Sequence, residues 1–187
     1  TYTIARLVRA LVARGERVLL SAFTNRAVDN ALDALREQGF EDVARVGTLT
    51  GVREDMLDVR LDQRGDPNER ASALRSAPVV AATTATCGSR VLREESFDVA
   101  VVDEASQLTE PGTLAAINRA DQFVLVGDHQ QLPPVVQSGD DQLARSLFER
   151  LHDEHPEAAV MLDRQYRMSQ RIQAFASREF YDGPLRP

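Results

Sequence analysis

Two adjacent acids close a short apolar run in FDVAVVDEASQLTEP at 97–111, where Val99 to Val102 lead directly into Asp103 and Glu104. Four apolar residues in a row read as a strand buried on both faces of a parallel sheet. Carboxylates at the carboxyl end of such a strand face the crevice in which open sheets bind ligands. The chemistry available to the pair is phosphoryl transfer: the first acid holds Mg²⁺, usually through water, and the second orients or deprotonates the attacking water. A solvated Asp-Glu turn has the same spelling, so the dipeptide needs company.

Company comes from QFVLVGDHQQLPPVV at 122–136, a second strand-like run that ends in Gly127, Asp128, His129, Gln130 and Gln131. Two parallel strands joined by a helical crossover place their polar ends on one edge of the sheet, so the two sites are expected to be neighbours. Asp103, Glu104, Asp128 and His129 together also spell a metal-dependent hydrolase that needs no nucleotide.

The elements that must position these residues follow from periodicity. Ile4, Leu7, Val8, Leu11 and Val12 give a helix over 3–14 that stops at Gly15, RVLLSAF at 17–23 reads as a strand, and a helix begins near Thr24-Asn25. Val28, Ala31, Leu32 and Leu35 are its inward face and Gly39 its end. Thr24 and Asn25 fit a helix cap, donors to a phosphodiester backbone, or both. A short strand at Val43–Val46 precedes a polar insertion over 47–70, with room for a short helix. Helical composition over 68–77 leads into a strand from Pro78 to Thr84, whose threonines either satisfy the strand end or touch a nucleic-acid strand. An amphipathic helix is expected over 140–151, with acids in its first turn and Leu143, Leu147 and Leu151 inward. After Pro156 come the apolar run Ala158–Leu162 and a helix from about Ser169 to Phe180. Cys87 reads as a packing residue, and His152 and His155 as surface histidines rather than zinc ligands.

Composition narrows the classes. With 187 residues and 43% hydrophobic content the chain can bury a sizeable core as one domain or one domain and the start of another. No apolar stretch approaches the roughly 18 residues of a membrane span, which together with a single cysteine points to a cytoplasmic protein without internal disulfides. The net charge is −7, and all 22 basic residues are arginine. Net charge therefore opposes non-specific polyanion binding, and any nucleic-acid contact must come from local arginines, amides and hydroxyls. Excess acid without lysine fits a high-salt cytoplasm or an arginine-biased coding sequence; stability rising with salt distinguishes the first.

Taken in order, SAFTNRAVDNAL at 21–32, VVDEASQ at 101–107, GDHQQLPPVV at 127–136 and LDRQYRM at 162–168 resemble superfamily 1 helicases, in the branch of the nonsense-decay RNA helicase and the replication helicase-nuclease. The resemblance implies an α/β, RecA-like parallel sheet with helices on both faces, a P-loop NTPase core. Residues 1–157 would be the first motor domain and 158–187 the start of a second. It implies ATP and Mg²⁺ as cofactors and single-stranded DNA or RNA as partner, beside the rest of a helicase chain and no membrane. Carried onto this sequence, Asp103 serves Mg²⁺ together with the Thr1 hydroxyl, and Glu104 is the catalytic base. Gln131 senses the γ-phosphate, Arg167 is an arginine finger, and Tyr166 stacks on adenine. Thr24, Asn25, Thr84 and the turn at Pro133 contact the nucleic-acid strand.

The chain departs from the family pattern at both ends. A GxxxxGK[ST] loop should precede TYTIARLVRAL, and no lysine is present to replace its charge. The chain is therefore expected to be an N-terminally truncated, internal piece of a 5′ to 3′ helicase, inefficient in ATP hydrolysis by itself. A non-catalytic nucleic-acid or protein interaction module derived from such a motor is the alternative.

Overall fold

The computed structural model describes residues 1–61, 66–136, 144–166, 168–181, 183 and 185–186. Its elements are α1 (Tyr2–Ala13), β1 (Val18–Ala22), α2 (Asn25–Glu37), β2 (Val43–Arg45), α3 (Pro67–Ser76), β3 (Val79–Thr83), α4 (Thr84–Cys87), β4 (Phe97–Asp103), α5 (Glu110–Ile117), β5 (Ala120–Leu125), α6 (Leu147–Glu154) and α7 (Gln170–Phe180). Short 3₁₀ turns lie at Glu54–Val59, Arg90–Leu92, Ala105–Gln107 and Pro156–Ala158.

Alternation along the strands builds a three-layer structure. The five strands are all parallel in the order β2-β3-β1-β4-β5. Leu20, Ala81, Val99 and Val101 point to the face covered by α1 and α2, while Leu19, Val80, Ala100 and Val102 point to the face covered by α3, α5 and α6. This is the RecA-like α/β sheet with helices on both faces. Helix α2 shows how the sequence produces such a layer: Thr24 Oγ1 accepts the Ala27 amide at 3.1 Å, Val28, Ala31, Leu32 and Leu35 are buried, and Gly39 leaves the helix at φ +74°. Burying Leu32 or Leu35 contributes about 1.5–3 kcal/mol each.

The strand ends opposite the acids converge on one guanidinium. Arg17 donates from Nη2 to Leu74 O and Glu95 Oε2 at 2.7 Å each and from Nη1 to Ser96 O at 2.8 Å, and lies 4.5 Å from the Phe97 ring centroid. Its backbone amide donates to Asp98 Oδ2 at 2.6 Å.

Three segments sharpen or shift their sequence reading. The polar insertion holds the short helix for which it had room, a 3₁₀ turn at Glu54–Val59 pinned to the core by Met56, which is 0% exposed. Helix α6 begins at Leu147, because Ser146 Oγ accepts the Glu149 amide at 3.1 Å and caps it there; the acids and Leu143 assigned to an earlier first turn lie outside the described residues. The apolar run at 158–162 forms no strand, and Val160, Met161 and Leu162 are exposed. Their backbone has no sheet neighbour, and a strand without a ladder partner gains nothing from extension.

Candidate functional site: the carboxyl edge of the sheet

Strands β1, β4 and β5 deliver their polar ends to one edge. Ala22 is in register with Asp103 across β1 and β4, and Val102 with Leu125 across β4 and β5. The acids and the Gly127–Gln131 turn are neighbours, as the crossover argument requires.

At the end of β4, Asp103 is half-buried, and its Oδ1 accepts the Glu104 amide at 2.9 Å. Burial pushes its carboxyl above the ordinary carboxylate range, opposed by that amide. Thr1 itself is exposed and borders a hollow with Tyr2, Asn30, Asp33 and Glu37.

Glu104 adopts φ 55° and ψ 33°, and among the described residues it is the only non-glycine with positive φ. For an L-residue this costs roughly 1–2 kcal/mol, and it turns the chain sharply off the strand end. The turn throws the carboxylate sideways, where Gln107 Nε2 donates to Glu104 Oε2 at 3.2 Å. Both side chains border an open cleft of ≈ 190 Å³ shared with Phe23, Thr24, Arg26, Ala27 and Asn30. Acid and strand-to-helix junction thus share one cleft.

The next turn is held by Asp128. Its amide donates to Ser106 Oγ at 3.1 Å, and its carboxylate accepts from Gln131 Nε2 at 2.8 Å, from the Gln130 amide at 3.1 Å and from the Tyr181 hydroxyl. Burial, then the Asp128 charge, push the Tyr181 phenol up to about 12. Gly127 is required here, since a Cβ would sit 2.8 Å from the Ser106 amide nitrogen. His129 packs instead against His152, with ring centroids 4.6 Å apart. Asp128 and His129 are therefore turned to partners of their own, and among the described residues no group of three or more His, Cys, Asp or Glu is placed to hold a metal.

At the end of β1, Thr24 and Asn25 open α2. Asn25 Oδ1 accepts from Arg45 Nη2 at 2.8 Å, and Arg45 also donates from Nε to Asp29 Oδ1 at 2.8 Å and from Nη1 to Val46 O at 2.7 Å. The pair is fully buried, with Arg45 at 0% and Asp29 at 1% exposure.

The remaining expected site residues scatter. Thr84 is only 3% exposed, and Thr83 and Thr86 pair their hydroxyls at 2.9 Å beside it, so the hydroxyl nearer the surface at this strand end belongs to Thr86. Gln131 and Pro133 are exposed on the turn after β5, Tyr166 is 87% exposed, and Arg167 lies outside the described residues. Cys87 is a packing residue: it is 0% exposed and burial raises its thiol pKa. Sequence reasoning missed Phe23, Arg26, Gln107, Ser106 and Arg45. The first two flank Thr24 and the next two follow Glu104, so adjacency was their signal, whereas Arg45 carried none.

Comparison with known proteins finds similarity to proteins described as ATP-dependent helicases. One family model described as an AAA domain matches residues 60–139, and a second so described matches 143–187. The DNA replication ATP-dependent helicase/nuclease DNA2 of Xenopus laevis is 39% identical over 196 residues, covering 99% of this chain and 18% of that protein. The helicase/nuclease JHS1 of Arabidopsis thaliana is 37% identical over 190 residues, covering 99% and 14%. An uncharacterized ATP-dependent helicase of Methanocaldococcus jannaschii is 42% identical over 113 residues, covering 60% and 17%. The chain thus spans less than a fifth of the length of these relatives. Among solved structures, arterivirus nonstructural protein 10, a helicase in complex with DNA, aligns with a TM-score of 0.55 at 17% identity over 94% of this chain and 36% of its own.

Proposed function

We propose that this chain, a member of the superfamily 1 helicases, forms part of an ATP-dependent motor that moves 5′ to 3′ on single-stranded nucleic acid. The observation that carries the reading is the shared cleft: Glu104, thrown sideways by its left-handed backbone, borders the same space as Thr24 and Arg26 at the start of α2. A hydrolytic acid beside a strand-gripping junction is what coupling needs.

The chemistry assigned to each residue follows from its surroundings. Asp103 fits Mg²⁺, since burial leaves its charge poorly solvated and a cation would restore it; Mg²⁺ is held by one or two carboxylates beside phosphates rather than by a protein cage. Thr1 would join Asp103 in holding it. Mg²⁺ there would neutralise charge developing on the phosphoryl oxygens. Glu104 would orient and deprotonate the attacking water, with Gln107 holding one of its carboxylate oxygens. Gln131 and Arg167 would meet the γ-phosphate, and Tyr166, with its ring exposed, would cover the adenine. Thr24, Asn25 and the Pro133 turn would donate to or pack on the nucleic-acid backbone, with Thr86 rather than the buried Thr84 supplying the hydroxyl at the end of β3. Asp128, which ties Ser106 to Gln131 and Tyr181, would carry the nucleotide's state from the acid-bearing turn to the strand-bearing one.

The division of labour into a first motor domain over 1–157 and the start of a second from 158 belongs to the same proposal, as does a cytoplasmic location. Among the described residues no helix is long and apolar enough to cross a membrane.

The test is ATP turnover by the full-length protein with single-stranded DNA and RNA, comparing wild type with Glu104→Gln. The variant should lose turnover by a factor of about 10² or more, as expected for removing a general base, while retaining nucleotide binding. Turnover unaffected by the substitution refutes the assignment, and strand binding that ignores nucleotide favours the interaction module.

A further inference from the structure

Burying an arginine in a three-residue edge strand is expensive, and an aliphatic side chain would fill the same place without a desolvation penalty. Arg45 nevertheless stands at 0% exposure, with Asp29 beneath it on α2. Asp29 is itself fully engaged, because its second oxygen accepts the Arg53 amide at 3.0 Å. What the guanidinium does beyond neutralising Asp29 is grip Asn25 by its carbonyl oxygen, at 2.8 Å from Nη2.

That grip decides which way the amide faces. A guanidinium is donor only, so Asn25 must offer Oδ1 to it and turn Nδ2, with its two N–H donors, the other way. On that other side is Gly51, at the end of the Thr48–Gly51 turn. A Cβ on Gly51 would meet Asn25 Nδ2 at 2.8 Å, closer than real side-chain carbons come. Gly51 has no positive φ, so space rather than backbone conformation calls for glycine there. A buried donor behind the amide and a glycine in front of it, whose Cβ would also meet Thr48 Oγ1 at 2.8 Å, therefore define the orientation of one donor at the start of α2. The exposed Thr48 and Thr50 stand beside it.

We propose that Arg45, held by Asp29, is a positioning residue for nucleic-acid binding: it fixes Asn25 so that Nδ2 faces a phosphodiester oxygen of the bound strand. The inference rests on the reading of Asn25 as a strand contact. It adds that the contact is preset by a charge the strand never touches.

Equilibrium binding of a fluorescein-labelled oligothymidylate to the full-length protein tests this by anisotropy, with thermal melts on the same samples. Asn25→Ala should weaken binding about tenfold, the loss of one hydrogen bond to a charged group. Arg45→Lys keeps a cation beside Asp29 but lacks the planar fork needed to hold Asn25 as well. It should weaken binding to a similar degree, and the double variant should bind like either single one. Gly51→Ala, which leaves Arg45 and Asp29 intact, should also bind about tenfold more weakly by crowding Nδ2, and it decides the matter if Arg45→Lys melts before it can be assayed. Wild-type affinity in the folded Arg45→Lys or Gly51→Ala protein, or losses that simply add, overturns the positioning role while leaving the strand contact standing. An Asn25→Ala protein that binds like wild type removes the contact itself, and the positioning role with it.

Discussion

The two sides of the cleft are built on opposite terms. At the start of α2, polar groups meet partners of matching charge and geometry: Thr24 caps, Asn25 meets Arg45, and Arg45 meets Asp29. At the end of β4 the reverse holds, with Asp103 desolvated and Glu104 in a backbone conformation that costs energy. Such strain persists only where the surrounding sheet over-determines it. The α2 side is organised in advance, and the β4 side stores cost that, in the proposed function, a cation and a phosphate would relieve.

The sharpest way to break that contrast is to unpair the organised side. Asp29→Leu leaves Arg45 buried without its counter-charge and should cost about 3–5 kcal/mol in urea unfolding. Adding Arg45→Met should recover most of it, since replacing both partners of a buried pair with apolar groups is often nearly neutral. A loss that stays below about 1 kcal/mol for Asp29→Leu would mean that water reaches the pair and that the two sides are not so different.

Glu104→Gly probes the strained side and should move stability the other way, by roughly 1 kcal/mol in favour of the fold, because glycine adopts positive φ without a Cβ clash. An unchanged or lower urea midpoint would place the cost elsewhere.

Asp103→Asn should give the smallest change, since the Glu104 amide already offsets part of the burial. A carboxyl whose pKa is raised by folding favours the fold while protonated, and its contribution is lost as pH rises through the raised value. The wild-type chain should therefore lose stability relative to Asp103→Asn as pH climbs from 3.8, the ordinary value, toward neutrality. Melting both proteins across that range checks it, and parallel curves would count against a desolvated Asp103. Saturating Mg²⁺ with nucleotide should bring the wild type back up.

The same contrast governs what the sequence disclosed. Strand runs, the α2 cap and the proximity of the two polar strand ends were legible because they follow from periodicity, turn chemistry and the geometry of a parallel crossover. The left-handed backbone at Glu104 was not, since nothing in Asp-Glu-Ala distinguishes a sharp turn from a gentle one. Arg45 was hidden for a related reason: an arginine in Val-Ala-Arg reads as the exposed end of a strand, and only the three-dimensional meeting of β2 with α2 buries it. The start of α6 was misplaced because acids that suit any first turn outweighed Ser146, whose cap sets the boundary. The exposed run at 160–162 shows that apolar residues in sequence make a strand only where a neighbour supplies a ladder.

Arg17 sits at the end of the sheet farthest from all this, and its several bonds would take on a mechanical meaning if the proposed motor role holds. Tension drawn through the loops at the carboxyl edge runs along the strands, so the ladders of β1, β3 and β4 are sheared as a set rather than unzipped one bond at a time. Unzipping would have to start at a frayed tail, and the tails of β1, β3 and β4 are where Arg17 fastens Leu74, Ala77, Glu95, Ser96 and Asp98 together. A single side chain thus works as the rivet against which the opposite edge can pull.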